Sequence, residues 1–139
     1  MDKKLMKRAN IFAILALVAG VFYREFTKFN DFVAMRTSLA FIHPHLLVMG
    51  SFFLIGLLVF FKNYPAPDQA KLMKYLNAYS LGLVFTVLMM LVRGISQVLR
   101  MELSSGLDHS ISGLAGLGHI ITGISLLLIL NQMKKSLEA

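Results

Sequence analysis

Four stretches of this sequence, residues 9–23, 37–61, 75–92 and 109–133, contain no charged side chain. A bilayer core about 30 Å thick takes roughly 20 residues of helix, because every backbone N–H and C=O in hydrocarbon must be bonded within the segment. The second and fourth runs are long enough as they stand. The first is short and the third must pass Arg93 toward Leu99, so spans at about 9–27, 38–61, 75–98 and 109–132 are expected. The chain reads as all-α, a single integral membrane four-helix bundle over residues 1–139. Its composition, 57% hydrophobic and 15% charged with a mean hydropathy of +0.70, lies outside the soluble range of ~45–50% apolar residues.

The formal net charge is +7, but the basic residues sit in short stretches between the runs, which is a membrane pattern and excludes a nucleic-acid face. Under four spans Lys3, Lys4, Lys7, Arg8, Lys62, Lys71, Lys74, Lys134 and Lys135 share the side of the N-terminus, nine residues in all, against Arg24, Lys28, Arg36 and Arg100 on the other. The positive-inside rule then puts both termini in the cytoplasm, with the turn containing Tyr64, Pro65, Ala66 and Pro67 on the same side. A cleaved signal peptide is the alternative for the first run, but no small-x-small site before Phe22 supports it. Ala9, Ala13, Ala16 and Gly20 instead recur at helical spacing and suit close contact with a neighbouring helix. The connections are short, which leaves no room for a second domain.

There is no cysteine, so disulfides, thiolate metal sites, cysteine nucleophiles and covalent C-x-x-C-H haem attachment are excluded. Of the four histidines, His43 and His45 lie in the second run and His119 in the fourth, with His109 at its edge. Ionisable groups within a span point to function by default, the alternative being a neutral imidazole bonded to a neighbouring helix. At 100° per residue His43 and His45 project about 200° apart and must serve two faces, although Pro44 between them kinks the helix and shifts that angle. Zinc is disfavoured without i, i+3 or i, i+4 histidines and further carboxylate or thiolate ligands. A haem iron needs only axial imidazoles from different helices, apolar walls and cations for its propionates. Phe41, Met49, Phe52 and Gly56 fall on the His45 face, and Ser112, Gly116 and Gly123 on the His119 face: a bulky wall opposite a bare one. Arg24, Arg36, Arg93 and Arg100 gather toward the outer ends. Arg24 and Arg93 are the candidate propionate partners, with pairing to Glu25, Glu102 or Asp108 as the alternative.

Other chemistries find little support. No Gly-rich phosphate loop, nucleophile elbow or intramembrane carboxylate pair is present, and Gly113-x-x-Gly116-x-Gly118 follows no strand and reads as helix packing. Met49, Met89 and Met90 read as core filling before thioether ligands.

The segment Phe41-Ile42-His43-Pro44-His45-Leu46-Leu47-Val48-Met49-Gly50 resembles the His-x-His-Leu-x-x-x-Gly helix of the haem–copper oxidase superfamily and of related bacterial membrane proteins associated with nitric oxide stress. In those families the two histidines serve separate metal centres. The whole chain, with residues 20–29 after the first span and Gly116-Leu117-Gly118-His119-Ile120-Ile121 in the fourth, also resembles a family of small uncharacterised four-span bacterial membrane proteins. The first resemblance implies that four spans are one of three pseudo-repeats, so that a homo-oligomer, a trimer by analogy with a dimer as the alternative, rebuilds a ring. A simpler arrangement has His45 and His119 clasp one haem in each protomer. There is no cross-linked His–Tyr pair and no adjacent His pair on the third span, which speaks against a complete oxygen-reducing centre.

The expectation is a multi-pass protein of the bacterial cytoplasmic membrane binding haem b, with His43, His45 and His119 as candidate axial ligands. Its partners would be the bilayer, further copies of itself and a redox partner, but not nucleic acid. Two axial histidines favour electron transfer, and one with an open sixth position favours binding of oxygen or nitric oxide. The alternatives are a small transporter or channel, which the lack of Asp or Glu in any run weakens, and a structural or accessory subunit without a cofactor.

Overall fold

The computed structural model describes residues 2–138. Among the described residues every regular element is helical, and four helices, α1 (Asp2–Phe29), α2 (Ser38–Asn63), α3 (Gln69–Val98) and α4 (Ser105–Leu137), are each long and apolar enough to cross a membrane. Each extends beyond its uncharged run, so basic side chains form the end turns: Lys3, Lys4 and Lys7 open α1, and Lys134 and Lys135 close α4. Asp68 caps α3 by accepting from Lys71 N at 2.8 Å, and Ser104 caps α4. At the opposite end of the bundle α1 and α3 stop alike. Asp31 and Arg100 adopt left-handed φ values of 51° and 52°, and the next residues reach back five positions, Phe32 N to Thr27 O and Met101 N to Ser96 O.

Packing follows the small residues. Ala9 and Ala16 are buried on α1, Phe12 lies against Gly50 of α2, and Gly20 leaves room for the His43 ring. The α3–α4 contact is reciprocal: a Cβ at Gly82 would come 2.6 Å from Thr122 Oγ1, and one at Gly118 would come 2.5 Å from Thr86 Oγ1. Two Gly-x-x-x-Thr segments thus face each other in antiparallel helices, each threonine filling the gap over the other's glycine. The main contacts join α1 to α2 and α3 to α4, as two hairpins that meet along α2 and α3. Many large apolar side chains of α1, α3 and α4 point outward, Leu17, Leu81 and Leu127 being 62, 67 and 68% exposed, as in a lipid-facing surface.

The second helix is irregular. Thr37 Oγ1 donates to Gly94 O at 3.1 Å and Gln97 Oε1 accepts from Ser38 N at 2.8 Å, tying its start to the end of α3. A 3₁₀ turn (Ser38–Phe41) leads into one α-turn (Ile42–Pro44), then a π-helical segment (His45–Phe52), and regular α-helix only over Phe53–Asn63. Pro44 has no N–H to give to the preceding turn, and the hydrogen-bond ladder loses its regular spacing there.

Candidate functional site: a histidine pair between the hairpins

His45 stands at the first position of the π segment. Its backbone N–H bonds three residues back to Ile42 O, and its side chain takes the Phe41 carbonyl, with Nδ1 2.7 Å from Phe41 O. His119, in the regular helix α4, makes the same kind of contact, Nδ1 to Ala115 O at 2.8 Å. A carbonyl can only accept, so Nδ1 donates in both rings, and in the neutral tautomer that this fixes the lone pair is on Nε2. Among the described residues neither Nε2 has a hydrogen-bond partner. The two ring centres lie 6.4 Å apart with the planes at 89°.

The residues that a regular period assigns to the faces of the two histidines are open to the outside. Phe41 and Phe52 are each 58% exposed, and a Cβ added at Gly56, Gly113, Gly116 or Gly123 would meet nothing within 4 Å. The glycine run of α4 therefore divides in two. Gly118 packs against Thr86, whereas Gly113 and Gly116, expected to serve helix packing, face open space, because Gly116 and Gly118 lie about 200° apart on the wheel. Met49, which a 3.6-residue period puts beside His45, is half-buried and packs against the core.

His43 is not part of this pair. Its Nδ1 lies 2.8 Å from Ala16 O of α1, with Gly20 alongside, so the two histidines of the His-x-His segment serve different helices. The arginines are not brought to the pair either. Arg93 Nη2 donates to Asp108 Oδ1 at 2.8 Å and to Ser112 Oγ at 2.6 Å, and Ser112 precedes His119 by two turns, about 10 Å along α4. Arg24 lies in solvent beside Glu25, 3.7 Å away. Among the described residues no group of three or more His, Cys, Asp or Glu side chains could hold a metal ion, so the site offers two imidazoles and no more.

Tyr79 is the residue near the site that the sequence reading passed over. It is buried in α3 and its hydroxyl donates to Met49 O, in the π segment, at 2.9 Å. The signal was present: a phenol in the middle of an apolar run must find an acceptor on another helix.

Four apolar helices carrying a cross-hairpin imidazole pair define a multi-pass helical-bundle protein of membrane-spanning dimensions. The chain belongs to the family described as "Protein of unknown function (DUF2871)", whose model matches residues 2–136. No curated protein and no solved structure matches it.

Proposed function

We propose that this protein binds b-type haem between His45 and His119 of one protomer, in the bacterial cytoplasmic membrane with both termini in the cytoplasm, and carries electrons. The observation that carries the reading is the spacing of the two rings. Imidazole nitrogens about 2.0–2.1 Å from one metal, with each ring centre a little over ~1 Å behind its nitrogen, put the centres roughly 6–6.5 Å apart; the separation here is 6.4 Å. The donor chemistry agrees, since an Nδ1–H bonded to a carbonyl fixes the tautomer, orients the ring and raises the basicity of Nε2. The bare faces at Gly56, Gly116 and Gly123 supply the room a flat ring needs beside its ligands. Bound there, haem would supply one-electron redox chemistry within the bilayer. The chain's own part is to present two imidazoles with their Nδ1 atoms held by carbonyls.

Two ligands in hand favour electron transfer over gas binding, which needs a vacant coordination position. The test is an oxidised and dithionite-reduced absorption spectrum, with pyridine haemochrome quantitation, of the detergent-purified protein and its His45→Ala and His119→Ala variants. One haem per chain, with sharp reduced α and Soret bands lost in either variant, is the expected result. A colourless protein after expression with added haem would overturn the reading and leave the transport and accessory roles.

A further inference from the structure

We infer that Tyr79 is a positioning residue for His45: its hydroxyl holds the π-helical segment in the one hydrogen-bond register that brings His45 to His119. The argument begins with the carbonyls of α2. Across the π segment each N–H bonds five residues back, and the last such bond runs from Phe53 N to Val48 O. The α-helix that follows, over Phe53–Asn63, returns to bonds four residues back. Met49 lies at this change of register, and its carbonyl takes a donor from outside its own helix. Tyr79 supplies one from α3, 2.9 Å away.

An unpaired carbonyl between packed apolar helices is costly, so the junction is stable where a donor meets it and unstable one residue away. Tyr79 is 1% exposed and its ring packs against Phe53, the first residue of the α-helical part, with ring centres 4.9 Å apart and the planes tilted by 40°. It therefore grips both sides of the junction. Removing the hydroxyl while keeping the ring takes that hydrogen bond from Met49 O, and the register in which Phe53 N leaves Val48 O for Met49 O is then no longer disfavoured. That step shortens the π segment from its C-terminal end and rotates the part preceding it, His45 included, against α3. His119 is on α4, which the step leaves in place, and the spacing of the two rings is lost. π segments recur at functional sites because the extra residue re-aims a side chain; here the residue re-aimed is the one that opens the segment.

The consequence for cofactor binding rests on the haem reading above, whereas the positioning of the ring does not, and the experiment separates them. In the cofactor-free protein, with methionine carbonyls labelled with ¹³C and imidazoles with ¹⁵N, Tyr79→Phe is expected to move the Met49 carbonyl and His45 ring resonances and leave those of His109 unchanged. Phe53→Leu disturbs the ring contact but spares the hydroxyl and should move the Met49 carbonyl little, and Tyr79→Gln, which restores a donor, should bring His45 part of the way back. Unchanged Met49 and His45 resonances in Tyr79→Phe overturn the inference, as does an equal displacement in Phe53→Leu. A wild-type Met49 carbonyl that shows no deuterium isotope shift from a hydroxyl donor overturns it without any variant. In the haem-loaded protein, perpendicular imidazoles give a strongly anisotropic low-spin signal in electron paramagnetic resonance. Tyr79→Phe is expected to lose that signal together with several-fold of haem occupancy; retention of both overturns the inference. If wild-type protein takes no haem but the Met49 and His45 resonances respond, the haem reading falls and the role of Tyr79 stands.

Discussion

A histidine two residues from another has one neighbour too many for a single face, and the chain resolves this by giving each imidazole its own helix. His43 is bonded to the Ala16 carbonyl of α1, and His45 lies across from His119 of α4. The first contact has the form of an interhelical hydrogen bond and the second of a paired donor set, so the two should respond differently to removal. His43→Ala is expected to keep the haem spectrum and to lower stability by about 1 kcal/mol, the usual worth of a polar contact between membrane helices, as measured by unfolding in mixed detergent. His45→Ala should do the reverse, removing the spectrum at smaller cost to the fold. The separation of the two faces was legible, because i, i+2 residues diverge on any helix. The partner of Arg93 was only half legible: Asp108 was one of several acids in reach, and only the three-dimensional course of the 99–104 connection selects it.

Helices of this kind are specified at two levels, and only one is written in residue type. Length, apolarity and basic ends define four elements, and the alanine seam of α1 marks the contact it makes. The irregularity of α2 is different. Pro44 announces a break but not that the next eight residues are π-helical, since that depends on a hydroxyl 30 positions away. Which glycines pack is likewise decided by the neighbouring helix. Gly118→Ala, whose Cβ would meet Thr86, is expected to destabilise the α3–α4 contact by about 1–3 kcal/mol. Gly116→Ala, in open space, should be neutral or mildly stabilising. Thermal melts of the two variants in one detergent make the comparison. At the end of α3, Arg100 holds a left-handed conformation that costs a side-chain-bearing residue about 1–2 kcal/mol. Arg100→Gly should relieve part of this and raise the melting temperature.

Over the whole molecule, four helices of spanning length bring the two ends of the fold to one end of the bundle, and the proposed orientation sets that end in the cytoplasm. The chain contains no cysteine, so single thiols introduced at Ala66 and at Glu138 can be probed directly in sealed cells and inverted vesicles. Both are expected to react with an impermeant maleimide only from the cytoplasmic side, and labelling of either in intact cells would reverse the orientation. The division into two hairpins has a further consequence, in time and not in space. The α1–α2 hairpin leaves the ribosome first, carrying His45 with its Nε2 unengaged, and the residues that complete the pair are made some seventy codons later. No ligand shared by the two rings can be captured during synthesis of the first half. The proposed haem would therefore arrive only after α4 has been made, and a chain waiting for it is already a complete bundle.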